Sequence, residues 1–166
     1  FNLETRVARY HNIYGPFGTY DGGREKAPAA LSRKIANAKI KNLSQIDVWG
    51  DGNQTRTFAY IDDCINGTLK LFTSNHNQPI NIGSSEQVSI NQMIDIIQNI
   101  AEHKVEKNYQ LDKPLGVRGR SSNNDKIKEV LSWEPKISLK DGLFKTYNWI
   151  YNQMLSAENT NKFTKF

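Results

Sequence analysis

The apolar run Pro79 to Gly83 passes into a capping box, Ser89 with Gln92, and then into Ile90, Met93, Ile94, Ile97 and Ile100 at helical spacing. A buried strand handing over to an amphipathic helix is the unit of an α/β fold, and the pattern recurs along the chain. Leu3 to Tyr10 is dense in strand formers and ends at a turn over Asn12 to Gly18. Lys26-Ala-Pro then opens a helix, with Pro28 in the first turn where a missing N–H costs nothing, running to about Ala38. A polar loop is expected over Ile40 to Gln45, short strands over Ile46 to Trp49 and Thr57 to Tyr60, and a helix placing Ile61, Ile65, Leu69 and Phe72 on one face. Glu106 to Pro114 reads as strand and loop, and Asn124 to Trp133 as a short helix stopped before Pro135. Ser138 caps a last helix whose Leu139, Leu143, Tyr147, Ile150 and Met154 face inward.

With 166 residues, 37% of them hydrophobic and 23% charged, the chain suits one compact unit over 1–155 and a polar, frayed tail over 156–166. Cys64 is the single cysteine, so an internal disulfide and a cysteine-rich metal cage are excluded; a buried hydrophobe on its helix is the expected role. The lone cysteine fits a reducing compartment, with the cytoplasm as the expected location, and no apolar run approaches the roughly 20 residues of a membrane span, so a soluble chain is expected. The net charge of +5 is scattered instead of striped with aromatics, favouring a small phosphorylated anion over nucleic acid.

A glycine-rich strand-to-helix turn of the G-x-G-x-x-G kind is missing from the sequence. What is present, in order, is R-V-A-R-Y-H-N-I-Y-G-P, W-G-D-G-N-Q-T-R-T-F-A-Y-I-D-D, P-I-N-I-G-S, G-V-R-G-R and L-S-W-E-P. From about Leu3 to Met154 this resembles the C-terminal half of extended short-chain dehydrogenase/reductases that act on nucleotide sugars. Within them, G-G-R-E-K-A-P-A-A and W-G-D-G-x-Q-T-R resemble the GDP-mannose 3,5-epimerases. The resemblance implies the substrate-binding end of a Rossmann-type α/β protein, with the NAD-binding half, its tyrosine base and a proton-transferring cysteine upstream of residue 1. It also implies a homodimer, and a reaction in which a ketone formed at C4 of the hexose acidifies the neighbouring C–H bonds so that C3 and C5 invert.

Two jobs then fall to this chain: anchoring the nucleotide diphosphate and moving a proton beside the ring. Lys26 matches the family's acid/base lysine; it stands directly before a helix N-terminus and after Arg24, both of which disfavour a further positive charge. Read without the resemblance, it is a solvated surface lysine. Glu25 is expected on the sugar hydroxyls, with a helix-start carboxylate as its bland alternative. Arg56 and Arg118 match the arginines that clamp the diphosphate, where planar guanidinium forks suit the charge. An Arg at either place is otherwise a surface ion-pair partner. Asn12 is either a phosphate or sugar ligand or ordinary turn chemistry. Gln54, Thr55 and Lys34 complete the substrate set, Lys34 lying two helical turns beyond Lys26 and facing either a shared ligand or solvent.

A UDP-sugar epimerase, a nucleotide-sugar dehydratase and a non-catalytic binding fragment are the alternatives. No metal is expected.

Overall fold

The computed structural model describes residues 3–114 and 116–163, the last six as helical backbone alone. The order of elements is β1 (Ala8–Tyr10), β2 (Ile13–Tyr14), α1 (Ala27–Lys41), β3 (Gln45–Trp49), β4 (Thr55–Thr57), β5 (Ala59–Tyr60) and α2 (Ile61–Phe72). Then follow β6 (Ile80–Ile82), β7 (Gln87–Ser89), α3 (Ile90–Ala101), β8 (Glu106–Gln110), β9 (Gly119–Arg120), α4 (Asp125–Leu131) and α5 (Leu139–Phe163). The α/β expectation holds.

The strands form small sheets. β1 pairs parallel with β6, β2 with β5 and β3 with β8, while β4 runs antiparallel to β7 and parallel to β9. β3 shows why a five-residue strand suffices: Ile46 and Val48 point into the core while Gln45, Asp47 and Trp49 point out, the alternation of a half-buried strand.

Two apolar clusters hold the chain together. The larger joins α1, α3 and α5 through Leu31, Ile35, Met93, Ile94, Leu143 and Tyr147, and the smaller packs Cys64 and Leu71 of α2 on Ile80, Ile82, Ile127 and Trp133. Cys64 is a buried, free thiol. Gly67 lets α2 approach Trp133, whose indole would lie 2.9 Å from any Cβ built there. α3 has both halves of its capping box: Gln92 N–H donates to Ser89 Oγ at 3.1 Å, and Ser89 N–H donates to Gln92 Oε1 at 2.9 Å.

Several boundaries differ from expectation. β1 is three residues long, because the segment before Val7 runs past β6, its partner strand among the described residues. α1 continues through Lys41 and β3 begins at Gln45, so the polar loop over Ile40 to Gln45 shrinks to 42–44; Asn42 turns left-handed and its N–H bonds back to the helix. Ile65, Leu69 and Phe72 do share a face of α2, but it is an exposed one; Asp63, Cys64, Gly67 and Leu71 are buried instead. Asp63 earns its place inside by accepting from the N–H groups of Lys136 and Ile137. From Ser156, where the sequence suggests a polar tail, the backbone is helical as far as Phe163; no Gly or Pro interrupts it.

Candidate active site

The loop before α1 and the start of that helix face β3 and the segment leading into β4 across a cavity of ≈ 460 Å³. Glu25 and Lys34 line one wall; Trp49 and Gln54 line the other, with Pro114 at the rim. Glu25 arrives from a loop whose Gly22 and Gly23 have φ of 92° and 82°, a conformation open to glycine and costly for most residues. Its side chain is only 8% exposed. One carboxylate oxygen, Oε1, lies 3.4 Å from the Arg33 guanidinium, while Oε2 is buried with no partner in the protein. Across the cavity Gln54 donates from Nε2 to the Trp49 carbonyl at 3.3 Å, leaving its own Oε1 buried and unpartnered. Two buried acceptors without a protein donor are costly unless a bound donor completes them.

Lys34 donates to the Asp47 carbonyl at 2.7 Å. Burial pushes its ammonium below the ordinary lysine range, an effect Asp47 partly offsets. The carboxylates of Asp47 and Glu25 both favour its charge, and an anionic ligand would add to them. Lys26 is the N-cap of α1 and its side chain is exposed outside this lining, so the two lysines stand at different parts of the site. Lys26 and Arg120 both act electrostatically on His11, at the carboxyl end of β1, and with burial as the leading cause they hold its imidazole below the ordinary value. His11 Nδ1 lies 3.2 Å from Thr57 Oγ1, and its Nε2 is buried without a partner.

Asn12, at φ 48°, donates its amide to the Thr57 carbonyl at 3.0 Å, which fixes the strand end beside His11. Thr55 Oγ1 accepts from Gln87 at 2.7 Å. Arg56 spends two donors on the carbonyls of Thr55 and Val117, at 2.7 and 2.5 Å, tying β4 to the segment that carries Arg118. Arg118 is exposed and reaches Asp51 at 3.2 Å. In the parallel β4–β9 pair the residue opposite Arg56 is Arg120.

The structure therefore gathers Glu25, Lys34 and Gln54 on one cavity and sets Thr55 and Arg56 on β4, with Arg118 just ahead of its partner strand β9. Sequence reasoning missed four neighbours. Trp49 had a signal, being the outward position of a strand whose alternate residues are inward. Arg120 had another, as the second arginine of G-V-R-G-R. His11 and Arg33 had none, since their partners Thr57 and Tyr20 are distant in sequence.

Among the described residues no strand enters a helix through a glycine-rich turn: β5 meets α2 at Tyr60–Ile61 and β7 meets α3 at Ser89–Ile90. They form no pyrophosphate cradle of the kind that holds NAD.

Comparison with known proteins gives three results. The chain is 49% identical over 154 residues to GDP-mannose 3,5-epimerase 1 of Oryza sativa subsp. indica, covering 93% of this chain and 39% of that protein. The crystal structure of UDP-glucose 4-epimerase from Thermotoga maritima with UDP-glucose superposes with a TM-score of 0.79 at 28% identity, over 89% of this chain and 46% of the other. That of UDP-glucuronic acid 4-epimerase from Bacillus cereus, in complex with UDP-glucuronic acid and NAD, gives 0.76 at 29% identity, over 92% and 47%. The chain thus spans about two fifths of the rice protein. Residues 1–83, which carry Asn12, Glu25, Lys26, Lys34, Gln54, Thr55 and Arg56, match a family model, and on that match over half its length the chain belongs to the NAD dependent epimerase/dehydratase family.

Proposed function

We propose that this chain is the substrate-holding part of an NAD-dependent nucleotide-sugar epimerase that converts GDP-mannose by inversion at C3 and C5. The observation that carries the reading is the cavity with two buried, unpartnered acceptors, Glu25 Oε2 and Gln54 Oε1, beside Lys34, whose ammonium is pushed below the ordinary lysine range by burial. A nucleotide sugar offers what those groups want: hydroxyl and base donors at one end, phosphate charge at the other. The likeness to the rice GDP-mannose 3,5-epimerase supports GDP-mannose over a UDP-sugar.

The hydride exchange that NAD supplies belongs to residues outside this chain, and the complete enzyme is proposed to be a cytoplasmic homodimer. Among the described residues no helix is long and apolar enough to cross a membrane. Within the chain, Arg56 and Arg118 hold the diphosphate with Lys34, while Asn12, Gln54 and Thr55 fix the nucleotide and sugar oxygens. Glu25 accepts from a sugar hydroxyl, and Lys26 Nζ delivers or takes a proton at C3 or C5.

The test is the complete enzyme incubated with GDP-mannose in D₂O. Deuterium should enter the hexose at C3 and C5, and Lys26→Met should cut incorporation about 100-fold, the scale of a lost acid/base group, with nucleotide-sugar binding kept. Absence of deuterium with the unmodified enzyme refutes the reaction. Loss of binding in step with incorporation would make Lys26 a substrate anchor.

A further inference from the structure

Arg33 lies on α1, lines the same cavity as Glu25, and touches three places in the loop that delivers Glu25 and Lys26. Its Nε donates to the Tyr20 carbonyl at 2.9 Å and lies 3.5 Å from Asp21; its Nη2 lies 3.4 Å from Glu25 Oε1. The guanidinium is less than a third exposed, at 29%. Beyond Arg33, the ring contacts of Phe17 and Tyr20 with Trp149 hold the first part of the loop, while the glycine turn after it is open. Around Gly22 and Gly23 a Cβ would meet nothing within 4 Å, and both residues have the positive φ of a free-standing glycine turn. Asp21 bonds only its own neighbour, Gly22 N–H, in addition to the Arg33 contact.

We infer that Arg33 is a positioning residue of this site: it fixes the loop by Tyr20 and Asp21 and takes Oε1 of Glu25, so that the carboxylate is held in place at the wall of the cavity. The inference rests on the proposed nucleotide-sugar reaction. Its physical basis is the asymmetry of the Glu25 carboxylate. An ionised, nearly buried carboxylate needs charge compensation, and Arg33 supplies it on one oxygen only. The other oxygen, Oε2, is buried with no partner in the protein, so the carboxylate's position depends on the Arg33 contact at Oε1. A lysine at position 33 has the charge but not the fork: one ammonium cannot meet the Tyr20 carbonyl and the Glu25 carboxylate with the same planar geometry. Without the fork, Glu25 sits on a two-glycine turn with solvent to rotate into.

The experiment is a double-mutant cycle in the complete enzyme with Arg33→Lys, Glu25→Gln and the pair, reading epimerisation of GDP-mannose, affinity for free GDP and the thermal midpoint. Arg33→Lys should lower turnover about 10- to 100-fold, the cost of displacing a group by about an ångström. GDP affinity should stay unchanged, because the diphosphate is held from Arg56 and Arg118. In the Glu25→Gln background the same change should have little further effect, since the group it positions is already altered. Additive losses, unchanged turnover in Arg33→Lys, or GDP affinity falling in step with turnover would each overturn the inference. A midpoint that falls equally in both backgrounds while turnover does not would assign Arg33 to stability alone and also overturn it. Failure of the unmodified enzyme to act on any nucleotide sugar is a separate result: it removes the reaction itself, which the cycle presupposes.

Discussion

His11 is held between Thr57 and two cations, and its imidazole is kept below the ordinary 6.5 by burial, Arg120 and Lys26. As pH falls, the unfolded chain therefore takes up this proton before the folded one does. Stability is lost from pH 6.5 downward to the lowered folded value, and His11 contributes no slope above 6.5. Between pH 7.5 and 5.5, His11→Gln should lose less of its urea midpoint than the parent chain. Equal losses would show that the imidazole protonates as readily folded as unfolded. At the arginines, removal of Arg56 or Arg118 in the complete enzyme should each weaken GDP binding by about 1.5–3 kcal/mol, the range for hydrogen bonds to charged groups. Calorimetric titration with GDP checks this, and unchanged affinity would take that arginine out of the site. Arg56→Ala should also loosen the segment through Val117, visible as faster amide exchange there, because the guanidinium is tied to that carbonyl.

The loop of residues 15–26 is pinned a second time, from α5. Phe17 and Tyr20 each place their ring 5.4 Å from Trp149, the first tilted and the second edge-on. Trp149→Ala should therefore reduce epimerisation with little change in GDP affinity, and Trp149→Phe should restore much of it; a fall in GDP affinity of the same size would contradict a loop-specific role. At α3, Ser89→Ala should cost about 1 kcal/mol of stability, read from the denaturant midpoint, because the Gln92 N–H loses its acceptor. That helix was legible in the sequence because everything that defines it is local: a cap, a box and a 3.6-residue period. The exposed face of α2 was not. Ile65, Leu69 and Phe72 have the spacing of a buried stripe, but the side of α2 that is packed is chosen by Trp133, Ile80 and Ile82, which are remote in sequence. The same holds in the candidate site, where motif residues such as Glu25 and Gln54 were visible but the orphaned oxygens that mark the cavity follow from tertiary placement.

At the scale of the molecule, α2 carries Ile65, Leu69 and Phe72 on an exposed face, 51%, 58% and 74% accessible. Such a stripe favours self-association, so Leu69→Lys with Phe72→Glu should lower the apparent mass of the isolated chain at high concentration in sedimentation; no change would leave the stripe inert. The isolated chain should also give no saturable NAD binding in a fluorescence titration, since its described residues build no pyrophosphate cradle; a measurable dissociation constant would refute this. The parallel ladders carry a further consequence, for the making of the chain. Ala8 pairs with Ile80 and Gln45 with Glu106, so neither of these two ladders can close until a long stretch of later chain exists. At the ~5–20 residues per second of synthesis, β1 waits roughly 4–14 s for β6. During that interval α1 and α2, whose hydrogen bonds are local, form in microseconds, while the edge of β1 that β6 covers stays open.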